Sequence, residues 1–120
     1  MNTRQSDIVR SLSEAVNSMI DTVGSGRFGF DYAIREYAHQ AHGELALAFE
    51  EYVQAMGVGG VPLGAMPNSE SVRRDALCAL ADRVNVPEVT AFTQAMIEAQ
   101  DTRSSLLDAL KSQAEQLKNA

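Results

Sequence analysis

Apolar residues in this chain recur at steps of three and four, the spacing that gathers side chains on one face of an α-helix. Ile8, Val9, Leu12, Ala15, Val16, Met19, Ile20 and Val23 carry that pattern and predict a first helix from Asp7 to Val23. The stretch GSGRFG, residues 24–29, follows with three glycines that release the chain from helical geometry. A second helix is predicted from Phe30 to Gln40, with Asp31 placed where negative charge suits a first turn. The third carries Leu45, Ala48, Phe49, Tyr52, Val53 and Met56 at helical spacing, with Gly43 before it and Gly57 after it as punctuation.

Residues 57–71, GVGGVPLGAMPNSES, hold four glycines and two prolines and no sustained period, which predicts the longest loop of the chain. Ser69 or Ser71 is placed to cap a fourth helix, whose stripe is Val72, Ala76, Leu77, Leu80, Ala81 and Val84 and which ends near Asn85. Pro87 fits the first turn of a fifth helix, where its missing N–H would be unpaired anyway, and Glu88 beside it complements the dipole. Val89, Phe92, Met96 and Ile97 form the inward face of that helix. After QDTRSS, Ser104 or Ser105 can cap a sixth helix with Leu106, Leu107, Leu110, Ala114 and Leu117 inward. The expectation is all-α: a single six-helix bundle formed as one domain over residues 1–120.

Composition narrows what such a bundle does. Sixteen acidic against ten basic residues give a formal charge of -6, which disfavours the phosphate contacts that dominate nucleic-acid affinity. Every apolar stretch is broken by charge well short of the roughly 20 residues that a membrane helix needs, and the first residues form no secretory signal, so a soluble chain is expected. Cys78, the single cysteine, lies in the apolar run ALCALA and is expected to be a small buried side chain in a reducing compartment.

Candidate chemistry is sparse. His39 and His42 stand three apart with Glu36 and Glu44 close by, a spacing that invites a metal, but Gly43 breaks the helix there and no third histidine or cysteine completes a zinc set. The acidic pairs Glu50/Glu51, Asp7/Glu14 and Asp101/Asp108 read as solvated helix faces. GSGRFG follows a helix where a phosphate loop follows a strand, and it lacks the lysine with serine or threonine that holds phosphate. No catalytic residue, cofactor or metal is expected, and a small helical metal- or ligand-binding protein using the His39/His42 region is the alternative.

Four stretches taken together carry a resemblance: GFDYAIREYA (29–38), LALAFEEYVQAMGVG (45–59), RRDALCALADRVNVPEVTAFTQAMIEA (73–99) and SLLDALKSQAEQL (105–117). They resemble the cytoplasmic domain of the type II secretion F family, within it the platform proteins of tight-adherence (Tad) pilus assembly. Gly29, Phe30, Asp31 and Ala33 match the family's G-F-D-x-A stretch. Asp75, Ala76, Leu77, Leu80, Ala81, Arg83, Pro87, Glu88 and Val89 are similar to its segment across the fourth and fifth helices. The chain departs from the family in its longer loop at 57–71 and in Thr102 and Arg103, where the family usually has glycine before the last helix.

The resemblance implies a six-helix bundle that works as a noncatalytic platform at the cytoplasmic face of the bacterial inner membrane. It also implies a membrane-anchored parent protein, anchored through segments absent here, that docks the assembly ATPase and other secretion or pilus proteins and couples the ATPase to subunit assembly. A homodimer fits the same reading. Candidate contacts are charged residues of the third and fourth helices: Glu50, Glu51, Arg73, Arg74, Asp82 and Arg83.

Overall fold

The computed structural model describes residues 3–26, 29–56 and 69–118, with Ser69 and Glu70 described in their backbone alone. Among these residues are six α-helices and no strand: α1 (Thr3–Gly24), α2 (Phe30–Gln40), α3 (Glu44–Ala55), α4 (Ser69–Val84), α5 (Pro87–Asp101) and α6 (Leu106–Lys118). Each helix packs on the next, α1 packs on α6 to close the circuit, and α1 also touches α3 and α5. The result is the expected all-α six-helix bundle, about 43 × 25 × 23 Å.

Local chemistry sets the helix ends. Gly43 precedes α3 at a φ of 110°, in the region that favours glycine. Asn85 ends α4 at a φ of 54°, a left-handed residue whose N–H donates to the Ala81 carbonyl at 2.9 Å. Val86 is extended and Pro87 opens α5 in its first turn, as its fixed φ and missing N–H require. Ser105 accepts from the Asp108 N–H at 3.1 Å and is the cap of α6, so the choice between Ser104 and Ser105 falls to the latter.

Arg103 takes the left-handed conformation that glycine ordinarily supplies at a helix end, with φ 57°. Its N–H reaches the Gln100 carbonyl at 3.2 Å and the Ser104 N–H reaches Ala99 at 2.8 Å, the paired bonds of a left-handed helix terminus. The turn is therefore made without a glycine, at a cost of roughly 1–2 kcal/mol for a side chain in that region.

The core is one cluster drawn from all six helices. Leu12, Met19, Ile34, Phe49, Leu77, Phe92 and Leu110 are wholly buried there. Phe49 is the aromatic centre, 6.3 Å from Phe92 and 5.7 Å from Tyr37, the latter edge-on. Phe30 meets Tyr52 edge-on and Phe92 at a tilt, each at 6.5 Å, so rings bind α2, α3 and α5 together.

Some expectations shift. Cys78 is exposed, not buried. At helical period the inward positions of α4 are Ala76, Leu77, Leu80, Ala81 and Val84, which turns Cys78 and Ala79 outward despite their apolar setting. α1 begins at Thr3, four residues before Asp7, because its polar first turn carries no apolar period. Residues 69–71 belong to α4 and not to the loop, which places Ser71 inside the helix. The remainder of that loop, and any cap preceding Ser69, lie outside the described residues. Of the expected inward face of α6, Leu110 is buried and Leu106, Leu107, Ala114 and Leu117 are half-buried.

Candidate interaction faces of α3 and α4

α3 and α4 pack side by side, so their charged residues meet across a shared seam. The strongest meeting lies beneath it. Asp31, in the first turn of α2, is 7% exposed and takes three hydrogen bonds. The Tyr52 hydroxyl of α3 donates to Oδ1 at 2.6 Å, while Arg73 of α4 donates from Nε to Oδ1 at 3.2 Å and from Nη2 to Oδ2 at 2.5 Å. The third Arg73 nitrogen, Nη1, donates to Gln100 Oε1 of α5 at 2.6 Å. A guanidinium fork on a carboxylate is the strong form of this interaction, and here it joins four helices.

Electrostatics follow from the geometry. The hydrogen bonds to Asp31 hold the Arg73 pKa above its ordinary value against the opposing effect of burial. Burial, and then the Asp31 charge and hydrogen bond, push the Tyr52 phenol far above its ordinary range. The Tyr52 hydroxyl is thereby held protonated, as the donor to Asp31.

The six candidate contact residues separate into three kinds. Arg73 is turned inward, with 15% of its side chain exposed. Glu51, Arg74 and Arg83 are exposed but bridge helices: Arg83 Nη1 donates to Glu51 Oε1 at 2.5 Å between α4 and α3, and Arg74 pairs with Asp101 between α4 and α5. Glu50 and Asp82 are exposed and form no ion pair among the described residues. Between α3 and α4, beside the Glu51–Arg83 pair, runs a groove of about 210 Å³ lined by Ala48, Ala55, Ala76 and Ala79. Leu47, on the same helix as Glu50 and Glu51, is 61% exposed.

The histidine region is arranged differently. α2 ends at Gln40, His39 and His42 are exposed, and the Glu44 carboxylate is held by Arg4 of α1. Among the described residues no group of three or more histidine, cysteine, aspartate or glutamate side chains is assembled that could hold a metal ion.

Asp31, Tyr52 and Gln100 were missing from the candidate set, although one signal was available. Asp31 lies one turn before the buried Ile34, on the inward face of its own helix, where a carboxylate needs partners. No helix among the described residues is long and apolar enough to cross a membrane. Comparison with family models, curated proteins and solved structures gives no match.

Proposed function

We propose that this chain is a noncatalytic platform domain of a type II secretion or tight-adherence pilus assembly machine. In this reading its parent is anchored in the inner membrane by segments beyond this sequence, and the bundle docks the assembly ATPase at the cytoplasmic face. One observation carries the proposal: Asp31, the acid of the G-F-D-x-A stretch, ties α2 to α3, α4 and α5 through Tyr52, Arg73 and Gln100. A domain that passes motion from a motor to a membrane partner must move as one body, and a shared buried hub makes four helices do so. The six-helix architecture agrees with the same reading.

Glu50 and Asp82, exposed and without an ion partner among the described residues, are the side chains best placed to meet cations of the ATPase. Crosslinking the folded domain to assembly ATPases from the same genome tests the proposal. Capture is expected, with charge reversal by Glu50→Arg plus Asp82→Arg reducing it several-fold and leaving the helical signal intact. Failure to capture any of those ATPases overturns it, and a band at twice the domain mass on the same gel reads out the homodimer.

A further inference from the structure

Gln113 is 5% exposed on α6, one turn beyond the wholly buried Leu110, where burial ordinarily selects an apolar residue. Its amide has no hydrogen-bond partner among the described residues. Yet no buried side-chain nitrogen or oxygen is sealed from solvent without a partner. The amide therefore keeps an opening to the outside, and Gln113 lines a cleft of about 360 Å³ between the end of α5 and the start of α6.

Glu98, Thr102, Asp108, Ser112 and Gln116 line the cleft with Gln113, and no lysine or arginine does. Glu98 and Asp108 form no ion pair among the described residues. α5 ends here with no basic residue in its last turn and α6 begins here with Asp108 in its first turn, so the two helix dipoles oppose each other and the negative charge of the cleft comes from its carboxylates. Two carboxylate residues without an ion partner and one deeply buried amide residue thus line one space of small-molecule size.

We propose that this cleft binds a small organic cation rich in N–H donors, an alkylguanidinium or alkylammonium, with its charged head on Glu98 and Asp108 and one N–H donated to Gln113. The Ser112 hydroxyl and the Gln116 amide give the rim polar partners for the rest of the molecule, whereas the Thr102 hydroxyl already donates to the Glu98 carbonyl at 2.8 Å. The site lies on α5 and α6, away from the α3–α4 faces assigned to docking, and stands whether or not that assignment does.

Titration of 15N-labelled protein with N-acetylarginine amide, read at the Gln113 side-chain amide resonances, tests it. Saturable shifts are expected, together with none from N-acetylcitrulline amide, which keeps the shape and loses the charge. Glu98→Gln and Gln113→Leu should each weaken binding about tenfold. Should Gln113→Leu fail to fold, Glu98→Gln and Asp108→Asn decide. The proposal is overturned by an absence of saturable shifts, by equal shifts from the citrulline compound or from magnesium chloride, or by unchanged affinity in the carboxylate variants.

Discussion

Asp31–Arg73 and Arg4–Glu44 are the same chemistry in two settings. Each pairs an arginine with a carboxylate on another helix, yet the side chains of the first are 15% and 8% exposed and those of the second 44% and 45%. Where water is scarce, every remaining donor and acceptor needs a protein partner. Tyr52 completes Asp31 and Gln100 completes Arg73. At the surface solvent does most of that work, although Arg4 also donates to the Val84 carbonyl at 2.8 Å. The lesson is an asymmetry: breaking the inner pair strands a buried charge, whereas breaking the outer one returns two groups to water.

The largest expected effect is therefore at the hub. Arg73→Ala should cost about 3–5 kcal/mol in urea denaturation, because Asp31 would remain buried with its charge unpaired. That is the scale of deleting a whole aromatic side chain, and Phe92→Ala, at a wholly buried ring, should cost about 3–5 kcal/mol as well. A loss under about 1 kcal/mol for Arg73→Ala would put Asp31 in reach of water and end the contrast.

Tyr52→Phe sharpens it further. The change keeps the ring against Phe30 and removes one hydrogen bond to a charged acceptor, worth about 1.5–3 kcal/mol. It also has a pH signature. The folded protein holds the Tyr52 proton above the ordinary value of 10.0, where the unfolded chain releases it. This contribution is full below pH 10.0 and is lost as pH rises beyond it, so the alkaline decline in stability should flatten in Tyr52→Phe. An identical decline in both proteins would contradict the burial of the phenol.

The outer pair responds at the opposite end of the scale and with a smaller amplitude. The hydrogen bond from Arg4 lowers the Glu44 pKa, its charge adding to the effect and burial opposing it. Stability from this group is present above its ordinary value of 4.5 and is lost as pH falls through the lowered one. Glu44→Gln should therefore make the acid limb of a melting-temperature profile slightly shallower, and a larger change there than at the alkaline limb in Tyr52→Phe would reverse the ranking.

Most of the bundle was legible because periodicity reports facing: the predicted bounds of α2 match, and Pro87 marks the start of α5. What periodicity cannot report is who stands opposite. Arg73 lies 42 residues from Asp31 and 27 from Gln100, so their meeting belongs to the tertiary fold. Arg74, Arg83 and Glu51 look like free surface charge for the same reason and prove to bridge helices. Cys78 fails in the opposite way: ALCALA is apolar all round, and only its helical phase shows that two of its residues point outward. Gln113 lies three residues after Leu110 on the buried side of α6, yet a stripe defined by apolar residues passes over it.

The smallest expected effect lies at Arg83–Glu51, whose side chains are 56% and 47% exposed. The two-nitrogen geometry is favourable, with Arg83 Nη1 and Nη2 on the two carboxylate oxygens, but both long side chains give up rotamer freedom to hold it. A double-mutant cycle through Arg83→Ala and Glu51→Ala should return a coupling of about 0.2–1 kcal/mol at low salt that shrinks as salt is added. The cycle matters because the single changes also alter the packing of side-chain stems over the neighbouring alanine-lined groove, and only the coupling isolates the charge pair. A coupling as large as the cost of Arg73→Ala, insensitive to salt, would mean that this seam is shielded from water and that burial is not what separates the two settings.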